Sequence, residues 1–260
     1  MSSFDRAARE YGRVGPSLFE HFGHRVADTA GVSRGQSCLD VATGTGAAIL
    51  AAAEATGEAS FLVGADLSHS MLMRLTEETL ARQLSRVHAI RMDAQQLATH
   101  DDVFDVVLCG FALDSFSDPK MAITEIHRVL RPGGRLGVTV SNRWWFEGDE
   151  RWAWLERLLG SLGAEVHDRP PAFTEPEHLN ALLHSGGFTD VEVTQEEFPL
   201  RFTDFDEWWL WCWSHGYRRI LDALSEADLS RYRSEASREL GRNAEIQART
   251  HVILACGTSV

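Results

Sequence analysis

Apolar positions along the chain follow two alternating rhythms. Short apolar runs at Ser37–Ala42, Ser60–Asp66, Val87–Met92, Phe104–Cys109 and Arg135–Val140 have the character of buried parallel strands. Between several of them lie stretches with helical spacing, at Ala47–Ala55, Ser70–Leu84 and Pro119–Leu130. Strands alternating with helices of this length predict right-handed crossovers and a doubly wound, mostly parallel α/β sheet. Local signals agree. Ser68 precedes Met71, Leu72 and Leu75 as a hydroxyl cap, and Asp118-Pro119 sets a capping carboxylate before a first-turn proline. Arg131-Pro132-Gly133-Gly134 then ends that helix and turns into the next strand.

Past residue 141 the rhythm breaks. The stretch 143–173 carries Trp144, Trp145, Phe146, Trp152 and Trp154, and 203–242 carries Trp208, Trp209, Trp211 and Trp213. Between them Glu175–Ser185 has helical spacing and Thr189–Thr194 alternates as a strand; Gln247–Cys256 reads as the final strand. The whole therefore reads as one domain. Residues 1–30 form an N-terminal arm, 31–142 the α/β core, and 143–173 and 203–242 two aromatic, helical cap insertions over the carboxyl edge of the sheet.

Composition narrows the function. At 260 residues with 44% hydrophobic and 24% charged residues, the chain is long enough for one well-buried domain. A formal net charge of -13 repels phosphate backbones, which argues against nucleic acid and anionic membranes as partners. The N-terminus has Asp5, Arg6, Arg9 and Glu10 where a signal peptide would be apolar, and no run has the length of a membrane span. Cys38, Cys109, Cys212 and Cys256 are widely spaced, as expected of buried thiols in a reducing, cytoplasmic setting. No cluster has metal-ligand spacing, so no metal is expected. A homodimer is left open.

The chemistry gathers around Asp40-Val41-Ala42-Thr43-Gly44-Thr45-Gly46, where a strand ends and a helix begins. Gly44 and Gly46 allow a sharp turn and close approach of a ligand, while the free N–H groups of the new helix favour a carboxylate or other anion. About twenty residues on, Asp66 ends the second strand, the position of an acid that accepts hydrogen bonds from ribose hydroxyls. Asp93-Ala94 ends the third, and Gly110-Phe111 follows the fourth. Successive strand ends thus line one crevice with groups suited to a nucleoside ligand.

In these motifs, and in Leu130-Arg131-Pro132-Gly133-Gly134-Arg135-Leu136, the segment from about Asp5 to Asn142 resembles class I S-adenosylmethionine-dependent methyltransferases of the ubiquinone/menaquinone-biosynthesis type. The resemblance implies a seven-stranded, Rossmann-like sheet, S-adenosylmethionine as methyl donor and S-adenosylhomocysteine as product. It places Asp40, Ala42, Gly44 and Gly46 around the methionine end of the cofactor. It places Asp66 on the ribose, Leu67 and Met71 beside adenine, and Asp93 and Ala94 at the adenine edge. Gly110 and Phe111 also touch the cofactor, and Tyr11 and Phe22 lie in an arm that folds over it. Thr43 and Thr45 stand where such loops more often have Cys or Gly.

The expected reaction is transfer of the methyl group to O, N or C of a small apolar or aromatic metabolite. Trp144, Trp145, Trp209 and Trp213 are the candidate acceptor walls. A base is required only where the acceptor starts protonated, and histidine suits that role. His215, inside the densest aromatic stretch, leads, with His21 and His24 in the arm behind it. Other readings stay open. The same pocket could serve a non-methylating reaction such as cyclisation, or a catalytically dead binding protein. A nicotinamide-dependent oxidoreductase is disfavoured, because the loop lacks the third glycine of G-x-G-x-x-G.

Overall fold

Seven strands form one sheet in the order β3-β2-β1-β4-β5-β7-β6 in a computed structural model. The structure describes residues 3–58, 60–141, 146, 149–164, 173, 175–241 and 245–260. The strands are β1 (Cys38–Val41), β2 (Leu62–Asp66), β3 (Val87–Arg91), β4 (Phe104–Gly110), β5 (Leu130–Ser141), β6 (Phe188–Phe202) and β7 (Ile246–Ser259). β1 to β5 run parallel, whereas β7 lies antiparallel between β5 and β6. The doubly wound, mostly parallel sheet is therefore the one the strand–helix alternation predicts. Strand order reverses between β1 and β4, the place where open α/β sheets hold ligands.

The helices are α1 (Ser3–Ala7), α2 (Leu18–Thr29), α3 (Ala47–Thr56), α4 (His69–Ala81), α5 (Pro119–Val129), α6 (Ala153–Ser161), α7 (Pro176–Ser185), α8 (Phe205–Trp213), α9 (Arg218–Ala223) and α10 (Glu226–Leu240). Two caps form as their sequences require. Ser68 Oγ accepts from Met71 N at 3.2 Å, and Asp118 accepts from Met121 N at 3.0 Å. β1 is buried throughout, and Leu39, Val107 and Leu136 anchor the core on one face of the sheet. Helix α2 packs on the other face so closely that a Cβ at Gly137 would lie 2.8 Å from the Val26 carbonyl oxygen.

Two stretches run longer than their patterns suggest. β6 continues past Thr194 to Phe202, although Glu196, Glu197 and Arg201 interrupt the apolar pattern of that half. Antiparallel pairing with β7 carries it onward, and an ion pair between Arg25 and Glu196 ties it to α2. β5 begins at Leu130, taking in the Pro-Gly-Gly turn through an irregularity opposite Phe104 and Val106.

The region 203–242 builds a second core apart from the sheet's. Trp208, Trp211, Tyr217 and Tyr232 are fully buried there with Phe146, Leu155 and Phe202. This explains why α8 is aromatic on nearly every side. Its residues pack inward on α10 (Trp209 to Tyr232, 5.8 Å) and sideways on β6 (Trp211 to Phe202, 5.1 Å), leaving Leu210 half exposed. The N-terminal arm bridges the two cores. Ser68 Oγ donates to Asp5 at 2.6 Å, Arg6 pairs with Asp222 at 2.6 Å, and Arg218 Nη1 donates to the Arg6 carbonyl at 3.0 Å.

Candidate functional site

At the reversal between β1 and β4 the chain leaves two strands in unusual backbone conformations. Ala42, just past β1, has φ +55°, and Phe111, just past β4, has φ +53°. Left-handed backbone is disfavoured for residues with a Cβ and clusters where a site demands it. Phe111 is held by its own N–H, which reaches the Thr139 carbonyl at 2.9 Å and the Thr139 hydroxyl at 3.2 Å. Both residues line a crevice of about 410 Å³ of non-protein space, solvent at its mouth included.

The floor of that crevice is the glycine loop. Gly44 adopts φ +55°, and a Cβ there would project into the gap below Tyr11, 3.9 Å from its ring. Gly46, with φ +100°, has a different task. A Cβ on it would sit 2.5 Å from Leu75 Cδ1, so this glycine lets α3 pack against α4. Asp40 is buried, accepting from Thr43 Oγ1 at 2.6 Å and from Ile49 N at 3.1 Å. Burial pushes its carboxyl up to about 7, against the lowering effect of those two bonds. The N–H groups of Ala47 and Ala48, at the open start of α3, meet no acceptor among the described residues.

Asp66 stands beside the loop. One carboxylate oxygen accepts from Gly44 N at 2.8 Å and the other from Ser68 N at 2.8 Å. Burial raises its pKa, while these N–H groups pull it back. With about four lone-pair sites on its two oxygens, the carboxylate keeps room to accept from a ligand hydroxyl.

Above the loop lies an aromatic roof. Tyr11 stacks on Phe19 at 4.6 Å, and Phe19 and Phe22 each meet Phe111 edge-on, at 5.7 and 5.6 Å. Phe22, expected in the arm over the cofactor, lines the crevice, as do Phe19 and Thr139, which the sequence does not single out as site residues. An aromatic pair three apart in α2 resembles any core-facing stripe until the sheet beneath it is known.

Of the residues expected around a cofactor, Tyr11, Asp40, Ala42, Gly44, Gly110 and Phe111 line the crevice together. Asp66 reaches it through Gly44. Leu67 is exposed, Met71 and Ala94 are buried, and Asp93 accepts from Gln95 N at 2.9 Å within its own turn.

The histidines separate. His215 is buried, with Nδ1 2.6 Å from the Trp211 carbonyl. That carbonyl only accepts, so Nδ1 carries the proton and Nε2 the lone pair. Burial lowers its pKa to about 4, opposed by the Trp211 bond. His215 does not line the crevice but sits behind Phe19, 6.5 Å between rings. His21 is exposed between Phe22 and Phe198, and His24 faces Glu54 at 4.0 Å. Trp209 packs inside the insertion under Arg233, and half-buried Trp213 lies beneath Arg218 at 5.2 Å. Trp144 and Trp145 fall outside the described residues.

Residues 39–138 match a family described as a methyltransferase domain. The chain is 28% identical over 253 residues to nocamycin O-methyltransferase of Saccharothrix syringae, covering 93% of this chain and 90% of that protein. It is 30% identical over 179 residues to the demethylmenaquinone methyltransferase of Geobacillus stearothermophilus, covering 64% of this chain and 76% of that protein. The chain belongs to the S-adenosylmethionine-dependent methyltransferases. The structure of this methyltransferase also superposes on the [4+2]-cyclase SpnF, with TM-score 0.60, 25% identity, and 96% and 84% of the two chains covered.

The crevice of this methyltransferase fits its cofactor. A glycine floor, unpartnered N–H groups at a helix start and a carboxylate with lone pairs to spare are the groups that a nucleoside bearing an amino acid requires. Among the described residues no group of His, Cys, Asp or Glu could hold a metal, and no helix is long and apolar enough to cross a membrane.

Proposed function

We propose that this methyltransferase methylates an oxygen of a small apolar or aromatic metabolite, seated between the aromatic roof of the crevice and the helical insertion. One observation carries this reading: Tyr11, Phe19, Phe22 and Phe111 wall the crevice beside the glycine loop. Apolar walls seat an apolar acceptor and exclude water, and what such a site adds to an activated donor is chiefly alignment. The nocamycin O-methyltransferase likeness extends over the insertion as well as the sheet, which favours oxygen as the attacked atom. The four cysteines are buried and free, which favours a cytoplasmic setting.

S-adenosylmethionine, when bound, supplies a methyl group already activated on a sulfonium. In this reading the N–H groups of Ala47 and Ala48 receive its carboxylate, buried Asp40 balances its ammonium, and Asp66 takes the ribose hydroxyls. Leu67, Met71, Asp93 and Ala94 stand on the adenine side. His215, neutral near pH 7, is the candidate to hold the acceptor's proton, with His21 and His24 as weaker candidates at the arm. Trp213 is better placed than Trp209 to touch an acceptor, because Trp209 is spent on packing within the insertion.

The test is incubation with S-adenosylmethionine labelled in its methyl group and a panel of apolar phenols and enols. Labelled ether with equimolar S-adenosylhomocysteine is expected. The likeness to SpnF motivates a second reading, in which the cofactor is retained without methyl transfer. S-adenosylmethionine bound by the protein but never consumed, while an acceptor changes, would favour it.

A further inference from the structure

Past Phe111 the chain makes a short, tight helical turn, Leu113–Ser115, closed by Ser115 N donating to the Ala112 carbonyl at 2.8 Å. Ala112 and Leu113 are buried, so the turn is pinned to the core and carries Asp114 at its exposed tip. Sheet, arm and insertion meet electrostatically at that carboxylate. Its charge acts on the Tyr11 hydroxyl in the arm and on the Cys109 thiol of β4, while Arg219 of α9 acts on it from the insertion. Asp114 keeps solvent access, yet the protein around it is close enough for desolvation to raise its pKa. The N–H groups of Asp114 and Ser115 and the charge of Arg219 oppose that rise. Among the described residues neither Asp114 nor Arg219 is in contact as an ion pair, with the other or with a third residue. Tyr11 and Phe111 line the crevice over the glycine loop and Asp114 does not. Asp114 therefore stands at the rim, on the side of the insertion, where Arg218 covers Trp213 at 5.2 Å.

Apolar walls alone hold an apolar acceptor without fixing which way round it lies; a few placed polar groups do that. A crowded carboxylate without a counter-ion in contact is costly unless a donor satisfies it. Because an ionised carboxylate only accepts, the ligand group that satisfies it is a donor. We propose that Asp114 is a specificity residue, taking a hydrogen bond from an acceptor hydroxyl other than the one methylated, with Arg219 as its electrostatic partner. The rim position sets that second hydroxyl away from the glycine loop, where the methyl group is delivered. Arg219 favours the ionised carboxylate, which is the stronger hydrogen-bond acceptor. The acceptors are then apolar or aromatic compounds with two hydroxyls, and the inference rests on the oxygen methylation proposed above.

The experiment measures kcat/KM, at saturating S-adenosylmethionine, for a naphthol and for a dihydroxynaphthalene with one hydroxyl on each ring. Wild-type protein should favour the dihydroxy compound about 10- to 100-fold, as for one hydrogen bond to a charged group, and should stop at its monomethyl ether. Asp114→Ala should bring the ratio close to one, chiefly through the KM of the dihydroxy compound, and Asp114→Asn should keep part of it. The wild-type preference should fall at low pH as the carboxylate takes up a proton, Tyr11 and Cys109 staying neutral because burial raises both. Arg219→Gln should move that loss to higher pH, and Arg219→Lys should restore it. Wild-type protein without the preference, or the same preference in Asp114→Ala, would overturn the anchor. So would a fall in kcat shared by both acceptors at intact affinity for S-adenosylmethionine, which would make Asp114 part of the proton transfer. Wild-type protein that binds S-adenosylmethionine yet methylates neither compound would instead overturn the oxygen methylation itself. Should Asp114→Ala fail to fold, Asp114→Asn and the Gln and Lys pair at position 219 decide the question.

Discussion

The carboxylate of Asp66 accepts the backbone N–H of Gly44 at 2.8 Å, joining the end of β2 to the glycine loop after β1. One side chain thereby shapes the floor of the crevice and offers a hydrogen-bond acceptor at its side. Asp66→Ala removes both. Affinity for S-adenosylmethionine should fall about 10- to 100-fold, as for loss of hydrogen bonds to a charged acceptor. Unchanged affinity by calorimetry would refute the ribose-binding role.

Asp40 gives binding a pH dependence. Its carboxyl titrates at about 7 because it is buried. A ligand carrying positive charge beside it favours the ionised form, so binding lowers that pKa. Affinity for S-adenosylmethionine should rise with pH up to about 7 and level off above, losing at most about tenfold per pH unit below. Asp40→Asn should flatten the curve, which titrations between pH 5.5 and 8.5 would show.

His215 links pH to stability with the sign of a depressed base. Its pKa is about 4 in the folded protein, below the ordinary value of 6.5, so the unfolded chain takes up the proton first. The neutral side chain's contribution is fully present above about pH 6.5 and is lost as pH falls towards 4, about 3 kcal/mol in all. His215→Gln should therefore gain melting temperature relative to wild type across that window. A constant difference between the two proteins would show that the ring titrates normally. In turnover, the same variant should lose kcat while cofactor affinity holds; full activity would leave alignment as the sole contribution.

Gly46→Ala should cost stability rather than chemistry. The new Cβ meets Leu75 Cδ1 at 2.5 Å and inherits φ +100°, a conformation that only glycine adopts without strain. A loss of about 2 kcal/mol, seen as a fall of several degrees in melting temperature, is expected. Cofactor affinity in the protein that remains folded should stay within about threefold of wild type.

Much of this architecture is legible in the sequence because it is local. β1, the loop and the start of α3 follow from Asp40 to Gly46, and Ser68 and Asp118 cap the helices their spacing announces. The aromatic roof is not local. Phe19 becomes a crevice wall only because α2 lies across the sheet and Phe111 turns left-handed beneath it; the resemblance implies an arm over the cofactor, but the left-handed turn has no sequence signal. The tryptophans of α8 show the opposite difficulty. Their density suggests a pocket, yet Trp208 and Trp211 are wholly internal, because a helix placed between a strand and another helix is apolar on nearly all sides.

The bond between Arg6 and Asp222 spans 216 residues of chain. During synthesis, at about 5 to 20 residues per second, Asp222 follows Arg6 by about 10 to 40 s. In that interval the glycine loop, β2 and β4 have all been made, while the arm has no insertion to dock against. Arg6 thus waits for its partner in the insertion, whereas α2, which carries Phe19 and Phe22 of the roof, has its packing surface on α3, β4 and β5 well before Asp222 is made.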